Sequence, residues 1–317
     1  MAGREQALIS IIMPIYNEGG HIINTIGTVE QILDKHSIRH EFVLVDDGSK
    51  DDSWKKLFSM AKENTAVTAV RLSRNFGKEA ALFAGLEHAS GDAVIVMDAD
   101  LQDPPELIPE FVQLWKSEGC DVVEGVKSSR GREGLLYKLC AKSFYQILLK
   151  ATGIDLRNAS DYKLLDRKVV EALLLMPEKI TFFRGMSAWV GFERRQVPFE
   201  VQKRVMGTSK WSFRRLARLA VYAITSYTSA PLQLITAFGG IMFLFSVVLG
   251  IQTLVRYLTG NAMEGFTTVI LLLLFIGSML MISLGIIGLY LTKIYHELKG
   301  RPRYLVSKKI KDGEEQC

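Results

Sequence analysis

Two windows of this sequence contain no charged residue, residues 219–255 and 265–292. Each holds an apolar core of about 20 residues, long enough for a helix to cross roughly 30 Å of hydrocarbon. The run VILLLLFIGSMLMISLGIIGLYL is apolar on every face, whereas a helix lying on a soluble core needs only one apolar stripe. Membrane spans are therefore expected over residues 234–257 and 267–291; the alternative is a pair of buried helices in a large soluble core. The flanks set an orientation. Residues 203–218 carry six Lys or Arg and no acid, residues 293–311 carry seven against Glu297, and the connection holds only Arg256 and Glu264. Basic flanks stay in the cytoplasm. The expectation is an inner or plasma membrane protein with a two-helix hairpin and with its catalytic part and both termini cytoplasmic.

The start, MAGREQALIS, has no long apolar stretch before the first strand candidate, so no cleaved signal peptide is expected. Cys120, Cys140 and Cys317 have neither paired nor metal-ligand spacing and suit a reducing compartment. No nucleic-acid partner is expected.

The first 127 residues alternate between β-rich runs and helical spacing. Strands are expected at 8–14 (LISIIMP), 41–45, 67–72, 93–97 (AVIVM) and 121–126, and helices at 21–35, 52–64, 78–89 and 105–117. Such alternation implies a mainly parallel sheet covered on both faces, with ligands beyond the carboxyl ends of the strands. Polar clusters sit at those ends: Tyr16-Asn17-Glu18, Asp46-Asp47-Gly48-Ser49, Arg74-Asn75 and Asp98-Ala99-Asp100. Further on, residues 127–133 (KSSRGRE) read as a basic loop, 135–151 as a helix, 161–176 as a short strand and helix, and 193–205 as containing an edge strand. Residues 213–229 place Leu216, Leu219, Ala220, Ala223 and Tyr227 on one side, which suits an interfacial amphipathic helix or a packing helix of the soluble part.

Asp98 and Asp100 would share a face if their strand continued through them. Two close carboxylates repel unless a counter-charge is present. Hard oxygen donors at a strand end suit Mg2+ or Mn2+, held by one or two carboxylates together with substrate phosphate oxygens. A solvated acidic turn is the alternative for an isolated Asp-X-Asp. Neither GxGxxG nor GxxxxGK(S/T) follows the first strand, which excludes the dinucleotide and P-loop readings.

Four motifs in order, SIIMPIYNE (10–18), VLVDDGSKD (43–51), RLSRNFGK (71–78) and DADLQDPPE (98–106), together resemble the family-2 inverting glycosyltransferases of the GT-A fold. The resemblance is to their polyprenyl-phosphate branch, which contains dolichol-phosphate mannose synthase and bactoprenol glucosyltransferases; the two-span tail is similar to the bacterial members. The implied organisation is a cytoplasmic GT-A domain over 1–210, an interfacial helix over 211–230, a transmembrane hairpin over 231–292 and a basic cytoplasmic tail over 293–317.

The implied activity is transfer of a hexose from a nucleotide sugar, with a UDP-sugar favoured, to a polyprenyl phosphate such as undecaprenyl phosphate, with inversion. Pro14, Tyr16, Asn17 and Glu18 would line the nucleotide end, and Asp46 and Asp47 would accept hydrogen bonds from base and ribose. Asn75 and Lys78 would reach nucleotide or sugar. Asp98 and Asp100, with Gln102 nearby, would hold the metal on the diphosphate. The acceptor phosphate would meet Arg130, Arg132, Arg184, Arg204, Ser209 and Lys210, because guanidinium forks suit phosphate oxygens; a polybasic stretch also binds anionic lipid without catalysis.

Asp161 resembles the family's acid facing the reacting sugar carbon. It reads as a general base, as an orienting group, or as a helix N-cap. A processive polysaccharide synthase is the rival enzyme, but the QxxRW motif that those enzymes share is absent. A non-catalytic nucleotide-sugar-binding scaffold is the rival outside enzymes. Gly239, Gly240, Gly285 and Gly288 could pack helices within one hairpin or between subunits of a homo-oligomer.

Overall fold

The computed structural model describes residues 4, 6–129, 146, 160–178, 182–200, 230–259 and 265–316. Its core is a nine-stranded sheet. The strands are β1 (Ile9–Ile15), β2 (His40–Asp46), β3 (Val67–Leu72), β4 (Ala93–Val96), β5 (Val122–Ser129), β6 (Lys163–Asp166), β7 (Arg194–Glu200), β8 (Val306–Lys311) and β9 (Glu314–Gln316). Their order is β7-β5-β6-β4-β1-β2-β3-β8-β9.

The side chains of β1 alternate between two layers. Ile9, Ile11 and Met13 join one apolar cluster and Ile12 the other, the period-two signature of a strand buried on both faces. Helices α1 (Ile22–Lys35), α2 (Ser53–Glu63) and α4 (Ile108–Glu118) cover the first face. In α1, Ile22, Ile26, Val29 and Leu33 recur at helical spacing and are all buried. Helices α3 (Lys78–His88) and α5 (Arg167–Leu175) cover the second face, with Leu82, Phe83, Val169 and Leu173 inside. Gly119 ends α4 in the left-handed conformation (φ 76°) that glycine adopts without strain, and the Asp166 carboxylate caps α5 by accepting from Lys168 N at 3.1 Å. A short helix, α6 (Phe183–Trp189), precedes β7.

The five expected strands and four expected helices of the first half all form, within two or three residues at each end. The sheet is mixed. Its central run β4-β1-β2-β3 is parallel, but β6 runs antiparallel between β4 and β5, and β8 antiparallel beside β3. Because β6 is antiparallel to β5, its neighbour in the sheet, the chain leaves β5 and enters β6 at the same end of the sheet. The expected helix at 135–151 falls outside the described residues apart from Gln146, and the expected interfacial helix at 211–230 apart from Ala230.

Residues 293–317, read from the sequence as a basic tail, instead contain β8 and β9. The reason is tertiary: Ile310 is fully buried, and the backbone covers an otherwise open edge of β3.

A second unit contains α7 (Ala230–Leu258) and α8 (Phe266–Leu298). Both are long and apolar enough to cross a membrane, over Pro231–Thr253 and Phe275–Leu298, with mean hydropathies of 2.4 and 1.9. Large apolar side chains such as Phe243, Leu244, Met281 and Ile282 are exposed, as suits a hydrocarbon environment and not a soluble core.

Candidate active site

A cavity of about 320 Å³ opens at the carboxyl ends of β1, β2 and β4, beside the first turn of α3. Pro14, Tyr16, Glu18, Asp47, Asn75, Lys78, Asp98 and Asp100 line it, so all four sequence clusters meet on one rim.

The β1 and β2 loops are stapled together. Asn17 takes the left-handed conformation (φ 57°), which asparagine tolerates better than most residues. Its backbone N–H donates to Ser49 Oγ at 2.9 Å, and its side-chain Oδ1 accepts from Lys50 N at 2.9 Å. Asn17 therefore shapes the rim. Tyr16 stands 43% exposed beside the cavity. Glu18 pairs with His21 at 2.9 Å; burial pushes its carboxyl up, His21 opposes this, and Asp100, Asp51 and Asp98 add to the rise.

Asp46 and Asp47, expected to meet base and ribose, are engaged with the protein itself. Asp46 is fully buried and does not line the cavity. Its Oδ1 accepts from Ser49 N at 3.1 Å, while its Oδ2 lies 3.2 Å from Arg71 Nε, close but misaligned for a hydrogen bond. Asp47 does line the cavity, yet both of its oxygens accept backbone N–H groups, from Phe76 at 2.7 Å and Gly77 at 2.8 Å. The glycine between this pair and Ser49 is required: Gly48 has φ 67°, and a Cβ there would lie 2.5 Å from the Arg74 backbone.

β4 ends at Val96, before the two acids. Asp98 and Asp100 consequently face the cavity from a turn and not from alternate strand positions. Leu101 is left-handed (φ 56°), Asp100 Oδ1 accepts from Gln102 N at 3.2 Å, and Asp103 Oδ2 accepts from Asp98 N at 3.2 Å. Asp103 went unassigned in the sequence although it is the third acid of DADLQD. Burial first, and the Asp98 charge second, push it up to about 7. Gln102 is not among the residues lining the cavity, and its buried Nε2 has no hydrogen-bond partner among the described residues.

The least foreseeable feature is an ion cluster on one wall. Lys78 Nζ lies 2.6 Å from Asp98 Oδ1 and 2.7 Å from Asp161 Oδ2. Arg184 grips Asp161 with its fork, Nε to Oδ1 at 2.7 Å and Nη2 to Oδ2 at 2.9 Å. Burial alone would raise the Asp161 carboxyl; the Arg184 and Lys78 cations outweigh it and hold the group far below the usual carboxylate range. Asp161 is thus favoured as an anion, ion-paired to two cations at once. Beneath it, the fully buried pair Lys163–Glu124 (3.0 Å) also engages Ser187, whose hydroxyl donates to the Arg184 carbonyl at 3.2 Å. Arg130, Arg132, Arg204, Ser209 and Lys210 lie outside the described residues.

Glu79, also missed in the sequence, accepts from Phe183 N at 2.8 Å and so anchors the start of the helix that carries Arg184. Burial, then the Asp161 charge, push Glu79 up to about 7 from its ordinary 4.5. A carboxyl whose folded pKa exceeds its unfolded one binds extra proton in the folded state, so stability falls as pH rises through that window. Glu79→Gln should therefore match the wild-type unfolding midpoint near pH 4.5. At pH 8 it should exceed it in a thermal melt by several °C, with ~3 kcal/mol as the upper bound set by the shift.

Asp98 and Asp100 fit a divalent cation of the Mg2+ or Mn2+ kind. Both are hard oxygen donors on one cavity wall, and their joint negative field is felt at Glu18. Among the described residues no group of three or more His, Cys, Asp or Glu side chains could hold a metal by itself. The rest of the coordination shell would fall to substrate oxygens and water.

The profile of Glycosyl transferase family 2 matches residues 10–174, just over half of the chain. The SfII prophage-derived bactoprenol glucosyl transferase of Shigella flexneri is 37% identical over 95% of this chain and 97% of its own length. The prophage bactoprenol glucosyl transferase homolog of Escherichia coli K12 is 35% identical over 95% and 98%. A glycosyltransferase of Synechocystis, sll0501, is 40% identical over 94% of both chains. Among solved structures, glucosyl-3-phosphoglycerate synthase from Mycobacterium tuberculosis, in complex with Mn2+, UDP and phosphoglyceric acid, aligns with a TM-score of 0.49 at 22% identity. That alignment covers 71% of this chain and 80% of that one.

Proposed function

The chain belongs to glycosyl transferase family 2, and from that premise we propose that it transfers glucose from a UDP-sugar donor to the phosphate of a membrane polyprenyl phosphate. One observation carries this reading. The likeness to the bactoprenol glucosyl transferases extends over 95% of the chain, through the two apolar helices, and not over the catalytic domain alone. A soluble acceptor would give such helices no part in the reaction.

The site chemistry supports the same reaction. An oxygen of the acceptor phosphate forms the new bond to the anomeric carbon as the bond from that carbon to the donor diphosphate breaks, the electron pair leaving with UDP. Attack opposite the leaving group inverts the carbon. Asp98 and Asp100 would hold Mg2+ or Mn2+ on the diphosphate, where the ion neutralises charge on the leaving group. Lys78, already in the cavity, brings a second cation to the same region. Arg184 carries five N–H donors, of which Asp161 takes two, and its side chain is 40% exposed. It therefore has donors to offer an acceptor phosphate while Asp161 keeps the fork oriented. A phosphate monoester is largely ionised near neutral pH, its second pKa being about 6, so it needs little help from a general base. This favours Asp161 as an orienting group.

The basic flanks of the apolar helices support a cytoplasmic catalytic domain, where a soluble donor meets an embedded acceptor. The test is transfer of label from a panel of nucleotide sugars into organic-extractable lipid, with purified protein, undecaprenyl phosphate and Mg2+ or Mn2+. Label from UDP-glucose that disappears with EDTA is expected. Metal-dependent nucleotide binding with no labelled lipid from any donor would favour a binding scaffold, and label in a polymer would favour a synthase.

A further inference from the structure

β8 is the last long strand of the chain, yet its contacts lead to the donor cavity. It pairs with β3 as Ala69↔Ile310, Val70↔Lys309, Arg71↔Lys308 and Leu72↔Val306, so Ser307 is an extra residue in the ladder. Bulges of this kind re-aim neighbouring side chains and occur near active sites. The Ser307 hydroxyl donates to the Arg71 carbonyl at 3.1 Å, and the Leu305 carbonyl accepts from Ser73 N at 2.8 Å. The segment is anchored on both sides of this bulge. Ile310 is fully buried in the cluster that holds Trp54 and Leu57. Arg303 donates to the Glu178 carbonyl at 2.9 Å with its guanidinium over the Phe83 ring, and Tyr304 hydrogen-bonds Glu87.

From β3 the contacts run inward along two routes. Arg71 lies over the Trp54 ring, 3.2 Å from Asp46, and donates to the Ser49 carbonyl at 3.3 Å; Ser49 in turn receives the N–H of Asn17. Ser73 opens the loop that carries Asn75 and the two N–H groups clamping Asp47, and the Arg74 backbone of that loop packs against Gly48. The loops after β1, β2 and β3 are thus one connected scaffold, with β8 as its outer support. Without β8, β3 would be an edge strand with open N–H and C=O groups, free to twist.

We infer that residues 303–310, delivered only after both apolar helices, are a positioning element of the donor site: they hold the three loops in the register that binds the nucleotide. The inference rests on the reading of this cavity as the nucleotide-sugar site. It implies that a chain with every site side chain in place still lacks a competent donor site until β8 docks.

The experiment measures UDP and UDP-glucose binding by calorimetry on the full chain in detergent, with Mn2+ present, together with KM and kcat for transfer. Ser307→Ala removes one hydroxyl bond and should weaken donor binding about three- to tenfold at unchanged unfolding midpoint, with Ser307→Thr restoring it. Ile310→Asp, which undocks the strand, should weaken donor binding far more, while KM for the lipid acceptor stays within about twofold. Donor affinity unchanged in Ser307→Ala overturns the inference, whether or not Ile310→Asp folds. A loss shared equally by donor and acceptor would also overturn it, since it would mark a merely structural strand. Wild-type protein that binds no nucleotide sugar would instead overturn the functional reading itself, so the two failures are distinct.

Discussion

Replacing Asp98 and Asp100 together by alanine is expected to lower glucose transfer by about 10³-fold or more. Both carboxylates line the cavity, and in the proposed reaction the leaving diphosphate would depend on the charge they organise. In the wild type, Asp98 also holds Lys78 at 2.6 Å, so the double change both removes the hard oxygen donors and frees that cation toward Asp161 alone. The fold should survive. The two acids raise the carboxyls of Glu18 and Asp98 raises Asp103, so their loss relieves repulsion in the folded state. Initial rates of lipid labelling alongside thermal midpoints check this, and chelation of wild-type protein should reproduce the same loss. Transfer within tenfold of wild type in the double variant would remove these residues from the chemistry.

The second large effect concerns Arg184 and Asp161. Arg184→Lys keeps the charge but loses the fork that grips both Asp161 oxygens. It should lower kcat/KM for the lipid acceptor by about 10²-fold while donor KM changes by less than about threefold. Asp161→Asn leaves two cations facing a neutral amide and should cost about 10²–10³-fold in kcat.

The pH dependence separates the two roles of Asp161. Its carboxyl is held far below the ordinary range, so it stays ionised throughout the working range and contributes no acid limb there. The acceptor phosphate, with a second pKa of about 6, should set the limb instead, activity falling as pH drops through that value. The limb should persist unchanged in Asp161→Asn. If the limb vanishes with the substitution, Asp161 is the base.

Much of the first half of the chain was legible because its signals are local. Buried runs such as AVIVM (93–97) and LISIIMP (8–14) read as strands covered on both faces, and the polar residues that follow them then lie at one edge of the sheet. That logic brought Tyr16, Glu18, Asp47, Asn75, Lys78, Asp98 and Asp100 to one cavity, as the structure has them. It did not reveal that Asp46 and Asn17 engage the protein's own loops. A motif shows that polar atoms are present near a rim, but not whether they point at a ligand or at each other's backbone N–H groups.

Residue chemistry and spacing by themselves determined the alternating α/β domain, the rim where its polar ends converge, and two helices long and apolar enough to cross a membrane. Only the tertiary structure decided which charges meet. Asp161 and Arg184 are 23 positions apart and Lys78 lies 83 from Asp161, yet they form one cluster. The antiparallel insertion of β6 and the return of β8 to the β3 edge were equally invisible. Strand pairing across such separations leaves no periodic trace in either partner, because it is chosen by which open edge and which apolar surface remain when the rest has packed.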